Sequence, residues 1–239
     1  MAGPEADGLV ILAEIQTAGR GRMGRTWTSP RGASILCSVA LIDSSRTLEP
    51  GPLALLLPIA VADAIRAETG VRPQIRWPND LMVDGRKIGG ILVESRAVET
   101  GARAYVCGIG INCLQQPGHF PPELAERAAS LEILSSRPVD RTALVRELLQ
   151  QLDRWLGYPD HWTLADVRRD WLDRSELIGG RVRLRCDGKE FEGWMVDIDP
   201  QAALVLRLTN GVVRHFPISS STLMDVRSSP DTMECRAPG

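Results

Sequence analysis

Three arginines, Arg20, Arg22 and Arg25, alternate with Gly19, Gly21 and Gly24 between Gln16 and Trp27. Guanidinium forks and open backbone amides in one short segment suit an anion, phosphate above all. A second block, Arg76-Trp77-Pro78-Asn79-Asp80 followed by Gly85-Arg86-Lys87-Ile88-Gly89-Gly90, puts an amide, a carboxylate and an ammonium around one apparent hairpin. Bringing a carboxylate up to a nucleotide phosphate costs about 4 kcal/mol per unit-charge pair at about 4 Å and an effective dielectric near ~20. Arg20, Arg22, Arg25 and Lys87 are the cations available to offset that repulsion, and Asp80 could hold a magnesium ion bridging phosphate oxygens. Such a set suits adenylate formation, the activation of an acid by ATP.

Each block has an ordinary reading when taken alone. A Gly-Arg-Gly-Arg segment also occurs in solvated or RNA-contacting loops. The Trp77–Asp80 stretch could be a capped turn around a packed tryptophan, Lys87 a hairpin surface lysine, and Asn112, after Gly108-Ile109-Gly110-Ile111, a residue that ends a strand. His119, His161 and His215 show no metal-ligand spacing, so structural roles are expected for them.

The elements that must position these residues follow from the apolar pattern. Residues 8–15 and 34–42 are aliphatic runs of strand length and read as interior strands of one sheet, with the Gly/Arg segment between them as a loop over the sheet edge. Apolar positions 53, 56, 57, 60, 61, 64 and 65 follow a helical period that Gly70 ends, with a bend expected near Pro58. Residues 74–77 and 81–83 look extended, Asp84-Gly85 signals a hairpin turn, and strands follow at 87–94 and 103–111. Asp140 is placed to cap a helix that Gly157 closes. From about Ser175 the pattern changes to four or five short strands with turns at Asp187-Gly188 and Asn210-Gly211.

At 239 residues the chain can hold one large and one small domain, and its 44% hydrophobic content, 24% charged content and net charge of −2 give no field that would gather nucleic acid broadly. Its longest uninterrupted apolar run, residues 53–62, is short for a membrane span, and the first residues lack a signal-peptide pattern, so a cytoplasmic location is expected. Five cysteines without a Cys-x-x-Cys pair point to reduced, buried thiols rather than disulfides or a zinc site.

The order and spacing of three blocks resemble the biotin–protein ligases: Gln16-x-x-Gly19-Arg20-Gly21-Arg22-x-Gly24-Arg25-x-Trp27, the Trp77–Asp80 hairpin with Lys87 and Gly90-Ile91-Leu92-Val93-Glu94, and Gly108-Ile109-Gly110-Ile111-Asn112. The resemblance extends over residues 8–224 and includes Phe120-Pro121, Ala128-Ala129-Ser130-Leu131 and the later β module. It implies an α+β fold: a mixed β-sheet flanked by helices, of the class II synthetase-like kind, over residues 1–174, and a small SH3-like β-barrel over 175–229; the last ten residues, 230–239, have no periodicity and are expected to form a disordered tail. It also implies an ATP-dependent enzyme that converts biotin to biotinyl-5'-adenylate and transfers it to a lysine of a biotin carboxyl carrier protein, with ATP and Mg2+ as co-substrate and ion. By the same resemblance Gln16, Gly19, Arg20, Gly21, Arg22, Arg25 and Trp27 belong to the ligand-binding segment, and Lys87 touches the carboxylate or phosphate. Gly90 lets the backbone approach biotin, Asn79 and Asp80 sit by nucleotide and magnesium, and Asn112 flanks the adenylate. Lys87, Arg20 and Arg22 are the residues expected to act in catalysis.

Two departures accompany the resemblance. The family's Asp-Ser-Thr-Asn segment is not among these residues, which predicts weakened biotin binding, and Arg76 stands where the family carries lysine. No DNA-binding helix-turn-helix pattern is present, so the expected partners are biotin, ATP and the carrier, with neither nucleic acid nor membrane, for a monomer or homodimer. The rival readings are an impaired member that binds without efficient transfer, a ligase for another acyl acid such as lipoate, and an RNA-binding module.

Overall fold

The computed structural model describes residues 6–43, 49–97, 102–135, 137–157 and 162–227. The chain divides into two compact units, Met1–Glu176 and Leu177–Gly239.

The first unit is built on a six-stranded sheet of β1 (Val10–Ala13), β2 (Ser34–Asp43), β3 (Gln74–Arg76), β4 (Asp80–Val83), β5 (Arg86–Ala97) and β6 (Arg103–Asn112), in the order β1-β2-β6-β5-β4-β3. Among the described residues all its ladders are antiparallel, and parallel pairing enters only through isolated bridges from Ile75 to Ser175 and from Lys87 to Ala128. Side chains alternate across a strand, so the sequence Gly108-Ile109-Gly110-Ile111-Asn112 sends its isoleucines to one face and its glycines and asparagine to the other. Ile109 and Ile111 are buried with Ile91, Tyr105 and Cys107. The opposite face, carrying Gly90, Gly108 and Gly110, is left flat.

Helix α1 (Pro50–Thr69) covers the apolar face, packing on β3, β4 and β5. Helices α3 (Arg141–Leu156) and α4 (Leu164–Asp173) pack against α1 in turn, while the short α2 (Leu131–Ser135) precedes them. Covered on more than one side, α1 is apolar nearly all round, and each fully buried aliphatic side chain contributes about 1.5–3 kcal/mol. It passes through Pro58 as one continuous helix and ends at Gly70, whose φ of 74° is left-handed. At 20 residues α1 has membrane-spanning length and apolarity, but 67% of its most apolar window is buried inside the protein. Asp140 caps α3 by accepting from the amides of Thr142 at 2.8 Å and Ala143 at 3.1 Å. Helix α4 does not appear among the sequence expectations, although Thr163 and Asp166 form the reciprocal cap that marks its start.

Strand β1 corrects the expectation of two interior strands. It is the edge of the sheet, and Leu9, Ile11, Leu12 and Ile15 are all about half exposed. Aliphatic composition identified the strand correctly but carries no information about whether a second neighbour exists.

The second unit is a five-stranded antiparallel sheet in the order β10-β9-β8-β7-β11, an arrangement consistent with an SH3-like domain. Its strands are β7 (Arg181–Cys186), β8 (Lys189–Asp199), β9 (Ala203–Leu208), β10 (Val213–Pro217) and β11 (Ser221–Arg227). Asp187 and Gly188 have φ of 49° and 77°, as the tight β7–β8 turn requires, and Asp84 and Gly85 repeat this in β4–β5. Val182, Leu184, Met195, Leu204, Leu206 and Phe216 form its core. The expected tail at 230–239 lies outside the described residues.

Cys37, Cys107, Cys113 and Cys186 are buried and free. Burial pushes the thiol of Cys37 up to about 11, and those of Cys107 and Cys113 to about 12. In the unfolded chain these thiols ionise from about pH 8.5–9, so the stability they confer is complete below that range and is lost as pH rises towards 11–12. The expected slope is about 1.4 kcal/mol per pH unit for each thiol. Thermal midpoints measured from pH 8 to 10.5 should fall steeply above pH 9, and replacing Cys107 by alanine should make that fall shallower. An unchanged alkaline slope in that variant would contradict this origin.

Candidate active site

The glycine-lined face is where the chemistry-bearing residues meet. In β4–β5, Asp80 pairs with Gly90 and Leu81 with Gly89, but Met82 pairs with Lys87, leaving Ile88 as an extra residue. A regular strand would put Lys87 and Gly90, three apart, on opposite faces; the bulge returns Lys87 to the face of Asp80 and Gly90. The Lys87 ammonium lies 2.5 Å from Asp80 Oδ1, with both side chains about one-third exposed or less. Its backbone is gripped from the other side, since Lys87 N donates to Arg127 O at 2.8 Å and Ala129 N donates to Lys87 O at 3.0 Å.

The Gly/Arg segment folds as a small hairpin. Trp27 N donates to Gly19 O at 3.0 Å, Gly21 N to Arg25 O at 2.7 Å, and a short 3-10 turn, Arg22–Gly24, closes the tip with Met23 and Gly24 at positive φ. A Cβ on Gly19 would lie 2.3 Å from Trp27 O, so only glycine permits this pairing. The segment does not lie over the sheet edge as expected but over the face at β4, β5 and β6, all three interior strands. The flat glycine floor is the reason: the indole of Trp27 rests on Gly110 and Gly90, and a Cβ on Gly110 would come within 2.7 Å of the ring. The indole Nε1 is buried without a hydrogen-bond partner, and the Lys87 ammonium stands 5.6 Å from the ring centroid.

Arg20 reaches Glu94 on β5 at 2.7 Å in an exposed pair. Arg22 is half-buried; desolvation pulls its pKa down, Asp80 works against this, and Arg25 adds a smaller lowering push. It is thus a partly desolvated cation within reach of the same carboxylate that holds Lys87. Arg25 and Gln16 are exposed. Gln16 Oε1 lies 2.9 Å from the place a Cβ on Gly19 would take, so it borders the base of the hairpin.

Two of the expected site residues are engaged in holding the frame. Asn79 donates from its side-chain amide to Ile91 O, while Ile91 N returns a bond to Asn79 O at 3.1 Å. Asn112 is 5% exposed, donates to Ala129 O at 3.1 Å and accepts from Gln115 Nε2 at 3.0 Å. Its contact with Ala129 makes it a strut for the segment that grips Lys87. The turn before Asn79 is anchored by Trp77, which meets Trp171 of α4 edge-on at 5.9 Å. Sequence reasoning did not single out Gly110 or Glu94 as site residues; the alternation of Gly108-Ile109-Gly110 was the available signal for the first. Among the described residues no cluster of three or more metal-ligating side chains exists.

Residues 3–112 match the biotin/lipoate A/B protein ligase family. The bifunctional ligase/repressor BirA of Bacillus subtilis (strain 168) is 34% identical over 212 residues, covering 88% of this chain but 65% of that protein, so the chain spans about two-thirds of such repressor-type relatives. The biotin–[acetyl-CoA-carboxylase] ligase of Paracoccus denitrificans is 32% identical, with 82% of this chain and 83% of the relative aligned. Among solved structures, the biotin protein ligase from Aquifex aeolicus in complex with biotin and ATP superposes with a TM-score of 0.80 at 23% identity, over 91% of this chain and 89% of that one. With its three motif blocks gathered on one sheet face and a near full-length relative above 30% identity, the chain belongs to the biotin–protein ligases of the biotin/lipoate A/B protein ligase family.

Proposed function

We propose that this protein activates biotin with ATP and transfers it to a lysine of a biotin carboxyl carrier protein. The observation that carries the proposal is the convergence of Arg22, Lys87 and Asp80 beside the Trp27 indole on the glycine floor. In the first step a biotin carboxylate oxygen bonds to the α-phosphorus of ATP, the bond from that phosphorus to the bridging oxygen breaks, and pyrophosphate leaves. Lys87 and Arg22 offset the charge that builds up there. The Lys87–Asp80 pair does not hinder this exchange, because a partly exposed ion pair holds by only about 0–1 kcal/mol and an incoming anion can draw the ammonium away.

Biotin's bicycle is apolar, and the Trp27 ring, seated on the Gly90 and Gly110 backbone, offers it a flat wall. A buried indole N–H without an acceptor costs about 1–3 kcal/mol, so a ligand carbonyl that accepts from it gains that amount. Magnesium fits here as an ion delivered with the triphosphate: Asp80 would supply one carboxylate, and such ions commonly take one or two carboxylates alongside phosphate oxygens. It would supply charge neutralisation on the departing pyrophosphate. In the second step the carrier's lysine amine bonds to the acyl carbon and AMP leaves. The test is release of pyrophosphate that requires biotin, by the full chain at saturating ATP. Absence of biotin-dependent release from folded protein, or equal release with lipoate, would reject this reading.

A further inference from the structure

Arg76 and Asp80 face each other across the β3–β4 hairpin, which places their Cβ atoms on one face, about 5 Å apart. Backbone register therefore offers Asp80 a guanidinium before it offers an ammonium. The side chains do not follow that offer. Asp80 holds Lys87, and Arg76 turns to Glu176, with Nε to Oε2 at 2.6 Å and Nη2 to Oε1 at 2.7 Å. Glu176 is fixed for this by its backbone: Ile75 N donates to Arg174 O at 2.7 Å and Glu176 N to Ile75 O at 3.1 Å, so residues 174–176 run alongside β3. The pair is more shielded than the one at Lys87, with Glu176 15% and Arg76 26% exposed.

We infer that Glu176 is a positioning residue for the site: by engaging Arg76 through two hydrogen bonds it keeps that guanidinium off Asp80, whose carboxylate is thereby left to Lys87 and to the magnesium ion that would accompany the nucleotide. A guanidinium binds a carboxylate through two parallel bonds where an ammonium makes one, so an unoccupied Arg76 would displace Lys87 from Asp80. The consequence for turnover rests on the ligase reading above; the partition of charges does not.

Glu176→Gln keeps the shape and removes the charge. It should raise KM for ATP in the biotin-dependent reaction about tenfold while kcat stays within about twofold. Arg76→Met alone, which leaves Asp80 with Lys87, should keep KM within about threefold. The double variant Arg76→Met/Glu176→Gln should return towards wild type, because the competing cation is gone. Were Glu176 only a clamp for residues 174–176, Arg76→Met would be as harmful as Glu176→Gln and the double no better than either; that pattern overturns the inference. If the wild type itself shows no biotin-dependent turnover, the ligase reading fails, and a crystal structure of Glu176→Gln decides this inference separately. Arg76 within hydrogen-bond distance of Asp80 upholds it, and Arg76 still beside residue 176 or in solvent overturns it.

Discussion

Lys87→Ala should lower kcat/KM for biotin-dependent pyrophosphate release by about 100- to 1,000-fold, with thermal stability within about 1 kcal/mol of wild type. The two expectations rest on different properties of one side chain. The ammonium stands opposite Asp80 beside Gly90, where an anion on the glycine floor would meet it. Removing a unit positive charge about 4 Å from a developing negative one, at an effective dielectric near ~20, forfeits about 4 kcal/mol, which corresponds to roughly a thousandfold in rate. The fold loses little, because the Lys87–Asp80 pair is partly exposed and the bonds to Arg127 and Ala129 are made by the backbone. Lys87→Arg should recover part of the activity only, since a guanidinium would bind Asp80 through two parallel bonds and yield to an incoming anion less readily than an ammonium. Steady-state turnover and a thermal melt on the same preparations check both halves, and unchanged turnover in Lys87→Ala would remove the lysine from the mechanism.

Gly110→Ala should raise KM for biotin by tenfold or more and destabilise the protein by about 1–3 kcal/mol, whereas Gly108→Ala should be near neutral in both. The two glycines share one strand and one face. At Gly110 an added methyl would lie 2.7 Å from Trp27 Cε2 and 2.8 Å from Cζ2, a contact with a rigid ring; at Gly108 the nearest atom is a Leu92 carbonyl oxygen at 3.7 Å. The indole must therefore lift from the floor in the first variant and stay put in the second. Trp27→Ala should abolish the stability cost of Gly110→Ala, which isolates the ring as the cause. Equal effects of the two alanines would mean that the floor is not where Trp27 matters.

Much of this arrangement is legible in the sequence. The α1 period, the Asp84-Gly85 and Asp187-Gly188 turns and the Asp140 cap are local signals, and each appears where local physical chemistry puts it. The convergence of the Gly/Arg segment with Lys87 was legible through motif order, whereas its path over the face required knowing that glycines 90, 108 and 110 align across two strands. Asn112 illustrates a limit of residue type as a guide. An amide at the end of a strand can meet a ligand or brace a neighbour, and here Gln115 and Ala129 take both of its functional groups. Glu176 was invisible for another reason: a pairing across 100 positions leaves no local pattern. A fifth strand was allowed for in the second unit without a range, and β11 supplies it, whereas helix α4 was missed although it is amphipathic and begins at a reciprocal cap, because its ten residues give few periods to count.

The unmatched Ile88 gives the spacing between lysine and glycine a meaning that a motif written as letters does not convey. At this spacing a regular ladder would set Ile88 opposite Met82 and rotate the lysine through the sheet, from solvent-facing ligand duty into the oily interior beneath α1. A homologue one residue shorter there would carry lysine and glycine two apart, already on one face of a plain ladder, so a gap at this single position marks loss of the bulge and not loss of the amine.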